Sequence, residues 1–256
     1  VADLSALKLG KRPPRHDPRT LKLKSYLTDA LPLPPLEVDW SAKAKRLGML
    51  LNDQLGDCGL AAPLHLLQCM TAENGAEFVP TEQQALAAYE AIGGYRPGQP
   101  ETDNGVVMLD VMNAWRRTGI GGKKIDAYVA LDLRHRLQFK QAIAYFGGVI
   151  LGFSLPLSCQ GQDEWVVRLG GTSGDPDPGS YGGHAVSGHA SRDESLPNPG
   201  ITIVSWGQRM HVSWDFLDAY CDEAYAVVSS DWADADGAPS GFDIEALRAD
   251  LKAVGA

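Results

Sequence analysis

At 256 residues and 27.5 kDa, with 44% hydrophobic residues, the chain is long enough for one large domain or two small lobes sharing a cleft, and too apolar to be mainly disordered. Its longest nearly uninterrupted apolar stretch, Gly147 to Leu157, contains Ser154 and falls short of a bilayer span, and its four cysteines include no CxxC pair, which excludes a zinc ribbon and a disulfide-built scaffold. The net charge of −9 is uneven, with +5 on residues 1 to 25 and −14 on the rest; so acidic a body offers no phosphate-binding face, and neither a nucleic-acid nor a membrane partner is expected. The opening residues carry no secretory signal pattern, so the expected setting is the reducing cytoplasm.

Residues 1 to 36 hold six prolines, which forbid a long helix and predict an extended basic arm. Such an arm either contacts its own acidic body or reaches an acidic partner. The packed domain is expected over 37–232, with a helical part over about 37–120 and a β part over about 121–232. In the helical part, Cys58 to Asn74 has apolar residues at helical spacing, although Pro63 removes one internal hydrogen bond if the helix starts before Gly59. Helices follow at Thr81 to Ile92, where Thr81 and Gln84 form a capping box, and at Val106 to Thr118, closed by Gly119.

After Gly121-Gly122 the pattern predicts a strand over Lys124 to Leu131, a helix over Arg136 to Tyr145 and a strand over Val149 to Leu155. Residues 158 to 183 contain seven glycines and two prolines and read as loop. Within them GGTSGDPDPG lacks the Lys-Ser/Thr of a phosphate loop and the regular acid spacing of a calcium loop, so neither cofactor nor metal is expected. Strands are predicted at Ala185 to Ala190, Ile201 to Trp206 and Ala224 to Val228, with a short helix near Trp214 to Tyr220. Residues 233–256 form a helical extension whose amphipathic helix runs from Phe242 to Val254. Helices first and strands second make an α+β layout with two lobes.

Cys58 carries the most pointed chemistry. In NDQLGDCGLAA a glycine-containing turn leads directly into a helix, and a thiol at a helix N-terminus meets exposed N–H groups and the positive end of the dipole, which favours a reactive thiolate. The segment PLEVDWSAKAKRLGMLLNDQLGDCG resembles the opening of the papain-like cysteine peptidases, in which a P-x-x-V-D-W entry precedes a Gln-containing turn and the nucleophilic Cys opens the central helix. KQAIAYFGGVILGFSL resembles the helix and strand that precede the family's catalytic His, YGGHAVSGHASRDE the segment that carries it, and ITIVSWG with AYAVV the "N-S-W-G" strand and its partner. The resemblance runs in order from about residue 35 to 230 and suggests a divergent bacterial or phage-type member.

The resemblance implies a papain-like fold, with a helical lobe carrying Cys58 as nucleophile and an antiparallel β lobe carrying His184 as general base and acid, acting on a peptide or protein substrate. His189 lies five residues on and should face away from the cleft, and His65, two turns along the Cys58 helix, should be too far to serve as the base. Asn52 takes the place of the family's oxyanion-holding Gln, with Gln54 as the second choice. The family's His-orienting Asn aligns with Val204, which accepts no hydrogen bond, so the ring is oriented by Ser205, by Asp193 or by a backbone carbonyl, or the pair works as a dyad. Leu55 replaces a family Cys, so the disulfide that Cys would form is absent. Trp165, Trp206, Trp214 and Trp232 are expected in the core, with Trp206 beside His184. The family's inhibitory propeptides carry a helical globule, for which the proline spacing leaves little room, so the arm is expected to lie along the body and leave the cleft open. Hydrolysis is thus the leading expectation. Non-catalytic binding or assembly is the rival, and amidase or acyl-transferase chemistry through the same thiol is a third possibility.

Overall fold

The computed structural model describes residues 7–23, 31–167, 175–232 and 237–241; the helix expected over Phe242 to Val254 lies outside them. The first long element, α1 (Cys58–Glu73), is buried from Cys58 through Ala72. A helix without a polar face has to be enclosed on all sides, and α1 is: α2 (Glu82–Ala88) and α3 (Met108–Arg117) pack on one side and a β-sheet on the other. Pro63 lies inside α1, so the Gly59 carbonyl loses its helical donor. The Thr81 capping box is formed in full, with Thr81 Oγ1 accepting from the Gln84 N–H and Gln84 Oε1 from the Thr81 N–H. α2 then relaxes into a π-turn over Tyr89–Gly93, ended by Gly94 at φ 73°. α3 buries Met108, Leu109, Val111, Met112 and Trp115, one face of the helix.

The sheet is wholly antiparallel. It comprises β1 (Glu37–Asp39), β2 (Ala127–Ala130), β3 (Val149–Leu155), β4 (Gly182–Arg192), β5 (Gly200–Ser205), β6 (Gln208–Ser213) and β7 (Cys221–Val228), in the order β2-β7-β3-β4-β5-β6 with β1 on β4. β2 is shorter than its sequence suggests. β6 follows from no expectation drawn above, although its cause is visible: Trp206 and Gly207 both adopt positive φ, 46° and 67°, the two-residue hairpin geometry that matches strand twist, and Ser205 pairs with Gln208 across it. α4 (Arg136–Phe146) and α5 (Trp214–Tyr220) flank the sheet.

The core runs between α1 and the sheet through Phe139, Phe146, Phe153, Trp165, Phe216 and Trp232, all sealed from solvent. Trp165, Trp206, Trp214 and Trp232 are all buried. Arg209 ties β6 to the Ser41 and Ala44 carbonyls ahead of α1. Among the described residues no helix is long and apolar enough to cross a membrane. All four cysteines are buried free thiols.

Three buried histidines weigh against this fold in acid. Burial holds His65 down at about 4 and His184 and His189 at about 3, so each stays neutral in the fold while the unfolded chain binds its proton at 6.5. Depressed folded pKa values mean stability that is present above 6.5 and lost as the pH falls below it. In urea unfolding, His189→Gln is expected to reduce the slope of stability against pH by about one proton between pH 6.5 and about 5. An unchanged slope would mean that His189 takes up its proton in the folded state.

Candidate active site

Cys58 opens α1, and the backbone N–H groups of Ala185 and Gly10 point at its sulfur. Ala185 follows His184 on β4, so packing α1 across β4 sets the thiol next to the histidine's own backbone. The His184 ring lies flat on Trp206, with centroids 4.2 Å apart and planes 16° apart, while the edge of Trp165 closes a second side. His184 Nε2 is hydrogen-bonded to Ser205 Oγ at 2.9 Å, and Nδ1 is buried without a partner among the described residues.

Ser205 is therefore the residue that meets the ring. Val204 pairs with Ser187, three positions along β4, and successive side chains of a strand point to opposite faces, so Val204 cannot face His184 while Ser205 does. Asp193 is elsewhere, paired with the Lys140 ammonium at 2.6 Å. His189 bonds Ser187 Oγ at 2.8 Å and His65 bonds the Gly48 carbonyl at 2.8 Å, both away from the thiol.

Asn52 is buried in the turn ahead of Cys58, its Nδ2 3.4 Å from the Leu55 carbonyl. Two leucines in left-handed backbone, Leu50 and Leu51 at φ 58° and 69°, aim this turn. Such conformations cost on the order of 1 kcal/mol or more each and need support, which the fully buried Leu50 supplies. Gln54 is exposed on the same turn. Asp57, next to the thiol, is sealed from water, and burial raises its pKa to about 8. The Asn52 amide approaches it and offsets part of that penalty, but neither carboxyl oxygen has a well-formed hydrogen bond among the described residues.

The arm does not leave the cleft open. Its residues 10–12 run in extended form between the lobes, with Lys11 N–H donating to Gly183 O at 3.0 Å, Arg12 N–H to Val106 O at 2.8 Å, and Val106 N–H to Gly10 O at 2.8 Å. Six prolines exclude a helical globule, but an extended strand needs none to fill a groove. Glycines make the approach possible. A Cβ on Gly10 would sit 1.8 Å from the Gly56 carbonyl oxygen, one on Gly105 1.9 Å from Gly10 O, and one on Gly183 2.0 Å from Lys11 O. Behind them Asp103 Oδ1 accepts from Tyr89 OH and the Gly56 N–H, and Tyr89 OH accepts from the Gly105 N–H, so one partly buried network pins both glycine loops. Sequence reading missed Gly10, Gly56, Gly105 and Asp103. No periodicity marks them; only the three-dimensional approach of backbones does.

The covered site is buried, and this reverses the expected electrostatics. Burial pushes the Cys58 thiol up to about 11, against the lowering by the two N–H groups, and pushes the His184 imidazole down to about 3. In this state the pair is neutral thiol and neutral imidazole rather than the thiolate that the helix terminus alone would favour.

No family model matches the chain, and no curated protein matches it by sequence. Solved structures do. Xylellain, a cysteine protease from Xylella fastidiosa, matches with a TM-score of 0.64 at 16% identity over 88% of this chain and 97% of that one. Digestive procathepsin L2 proteinase from Tenebrio molitor larval midgut matches at 0.57 and 13%, over 88% and 79%, and a recombinant stem bromelain precursor at 0.54 and 11%, over 89% and 79%. With a helical lobe that presents Cys58 and an antiparallel lobe that presents His184, the chain has the papain-like fold.

Proposed function

We propose that the protein is a papain-like thiol peptidase captured with its own arm in the substrate groove. The observation that carries this reading is the arm itself. A peptide backbone lies extended over Cys58, hydrogen-bonded to Gly183 on the β lobe and Val106 on the helical lobe. A cleft that accepts one peptide backbone in this way is built to accept another.

In the reaction Cys58 attacks the carbonyl carbon of a peptide or amide bond, and His184 Nδ1 takes the thiol proton and delivers it to the departing amine. Water then hydrolyses the thioester. Ser205 directs Nε2 and leaves the lone pair on Nδ1. The Cys58 N–H and the Asn52 amide stabilise the oxyanion, with Gln54 the poorer choice because it is exposed. Withdrawal of the arm lets water return, which lowers the thiol pKa and raises the imidazole pKa, since burial is the largest cause of both shifts. The chemistry needs neither cofactor nor metal, and the same thioester would pass its acyl group to an amine if one replaced water. The rival reading of a binding or assembly protein drew on the missing Asn at Val204 and on the unusual oxyanion donor Asn52; the Ser205 hydroxyl at His184 gives the ring a partner without Val204, which supports the peptidase reading.

Two outcomes are expected. Gly10→Val cannot seat against Gly56, so in the full chain it should speed iodoacetamide labelling of Cys58 near pH 7 by about tenfold or more relative to the unaltered chain, and casein hydrolysis should appear with it. Faster labelling without hydrolysis of casein or of a random peptide pool would favour the binding reading. On that background Ser205→Ala should lower kcat by about tenfold to a hundredfold with little change in KM, and Ser205→Asn should recover much of the loss. An equal kcat for Ser205→Ala would remove Ser205 from the mechanism.

A further inference from the structure

Asp57 stands directly before the nucleophile, and its side chain does not act as an aspartate at a helix start ordinarily does. An N-cap carboxylate turns to the free N–H groups of the first helical turn. Here the main-chain carbonyl of Asp57 takes the Leu60 and Ala61 N–H groups, at 2.7 and 3.1 Å, while the side chain caps nothing. The carboxyl is instead met by the amide of Asn52, from the turn ahead of α1. No part of Asp57 is exposed, and neither of its oxygens has a well-formed hydrogen bond among the described residues.

Nothing that faces the carboxyl compensates a charge there. Its neighbours are Asp53 on the same turn, Asp103 and Tyr89 packed beside it, and the Cys58 thiol, none of them a cation. Burial raises its pKa to about 8, against the lowering by the Asn52 amide and its own N–H, and Asp103 and Asp53 raise it further. An un-ionised carboxyl is a different partner from a carboxylate. It has one O–H to donate and a carbonyl oxygen to accept, the complement of what a carboxamide offers. Asn52 can then be held at both ends, its Oδ1 accepting the acid proton and one Nδ2–H donating to the acid carbonyl, which leaves the second Nδ2–H for the oxyanion. The competing claim on that hydrogen, from the Leu55 carbonyl at 3.4 Å, is a weak one. A carboxylate would hold only the nitrogen end. Its charge would also oppose the thiolate, since burial is the main cause of the raised Cys58 pKa and a charge on Asp57 adds to it.

We propose that Asp57, as the un-ionised acid, is a positioning residue that fixes the Asn52 carboxamide with one N–H toward the oxyanion. The proposal rests on the peptidase reading above and adds to that site a residue the substrate does not touch.

Two measurements test it. In the full chain near pH 6, the infrared difference between the unaltered protein and Asp57→Asn should contain the carbonyl band of a protonated carboxylic acid, and the band should fade as the pH rises through about 8. No such band near pH 6 overturns the proposal. The second measurement is a cycle of kcat on a fluorogenic peptide in the full chain carrying Gly10→Val. Asp57→Ala should lower kcat by about tenfold or more with KM changed by less than about twofold. Asp57→Asn, which again offers one donor and one acceptor, should bring kcat back to within about threefold, and adding Asp57→Ala to Asn52→Ala should cost less than about twofold. An equal loss with and without Asn52 would give Asp57 a role in the fold alone and overturn the proposal. Should Asp57→Ala not fold, Asp57→Ser takes its place in the cycle. If no peptide is cleaved, the peptidase reading fails and Asp57 is judged in the unaltered chain. The Asn52 side-chain NH2 resonances should then move as the infrared band fades, and resonances that stay in place through that range overturn the pairing.

Discussion

A helix with no polar face cannot sit on a surface, and the enclosure of α1 determines where the other parts of this protein lie. Its sheet-facing side packs across β4, so its first residue comes to rest against the backbone of Ala185. Cys58 and His184 are neighbours because a buried helix must end somewhere in the seam between its two coverings. β4 is equally constrained, paired to β3 and β1 along one edge and to β5 along the other. The hairpin from β5 into β6 then delivers Ser205 and Trp206 to the same ring, one to its edge and one to its face.

The cleft is lined where it matters by backbone. Gly56, Gly105 and Gly183 expose main-chain atoms that a single methyl group would cover, and the arm brings a fourth glycine to meet them. Recognition by main-chain groups is indifferent to sequence, which leaves discrimination to side-chain pockets around the cleft. Water exclusion and reactivity oppose each other here. Burial holds the Cys58 thiol protonated and the His184 imidazole neutral, so the enclosed pair is not the charged one.

Much of this was legible in the sequence. The capping box at Thr81, the helix opening at Cys58 and the strand Val149–Leu155 emerge where local patterns place them, because each depends on residues close in the chain. The pairing of motifs around Cys58 and His184 conveyed the fold for the same reason. What local pattern could not convey was set by distance. The choice of Ser205 over Val204 depends on which face of β5 looks at β4, and β6 depends on a Trp-Gly turn that departs from the usual Asn-Gly signal. The path of the arm depends on glycines far apart in sequence, with Gly56, Gly105 and Gly183 lying 46, 95 and 173 residues beyond Gly10. The thiol's high pKa follows from its burial, which outweighs the helix terminus and the Ala185 and Gly10 N–H groups.

The segment over Cys58 belongs to the same chain as the groove, and this changes the arithmetic of competition. A tethered occupant is present at an effective concentration set by the tether, of order millimolar for short flexible connections, whatever the amount of protein in solution. It therefore needs only modest intrinsic affinity to keep the groove filled, and dilution does not release it. Any event that severed the chain between Arg12 and the start of β1 at Glu37 would turn a permanent neighbour into a free peptide at the concentration of the protein itself. Occupancy would then fall as the solution is diluted, with no contact in the groove altered.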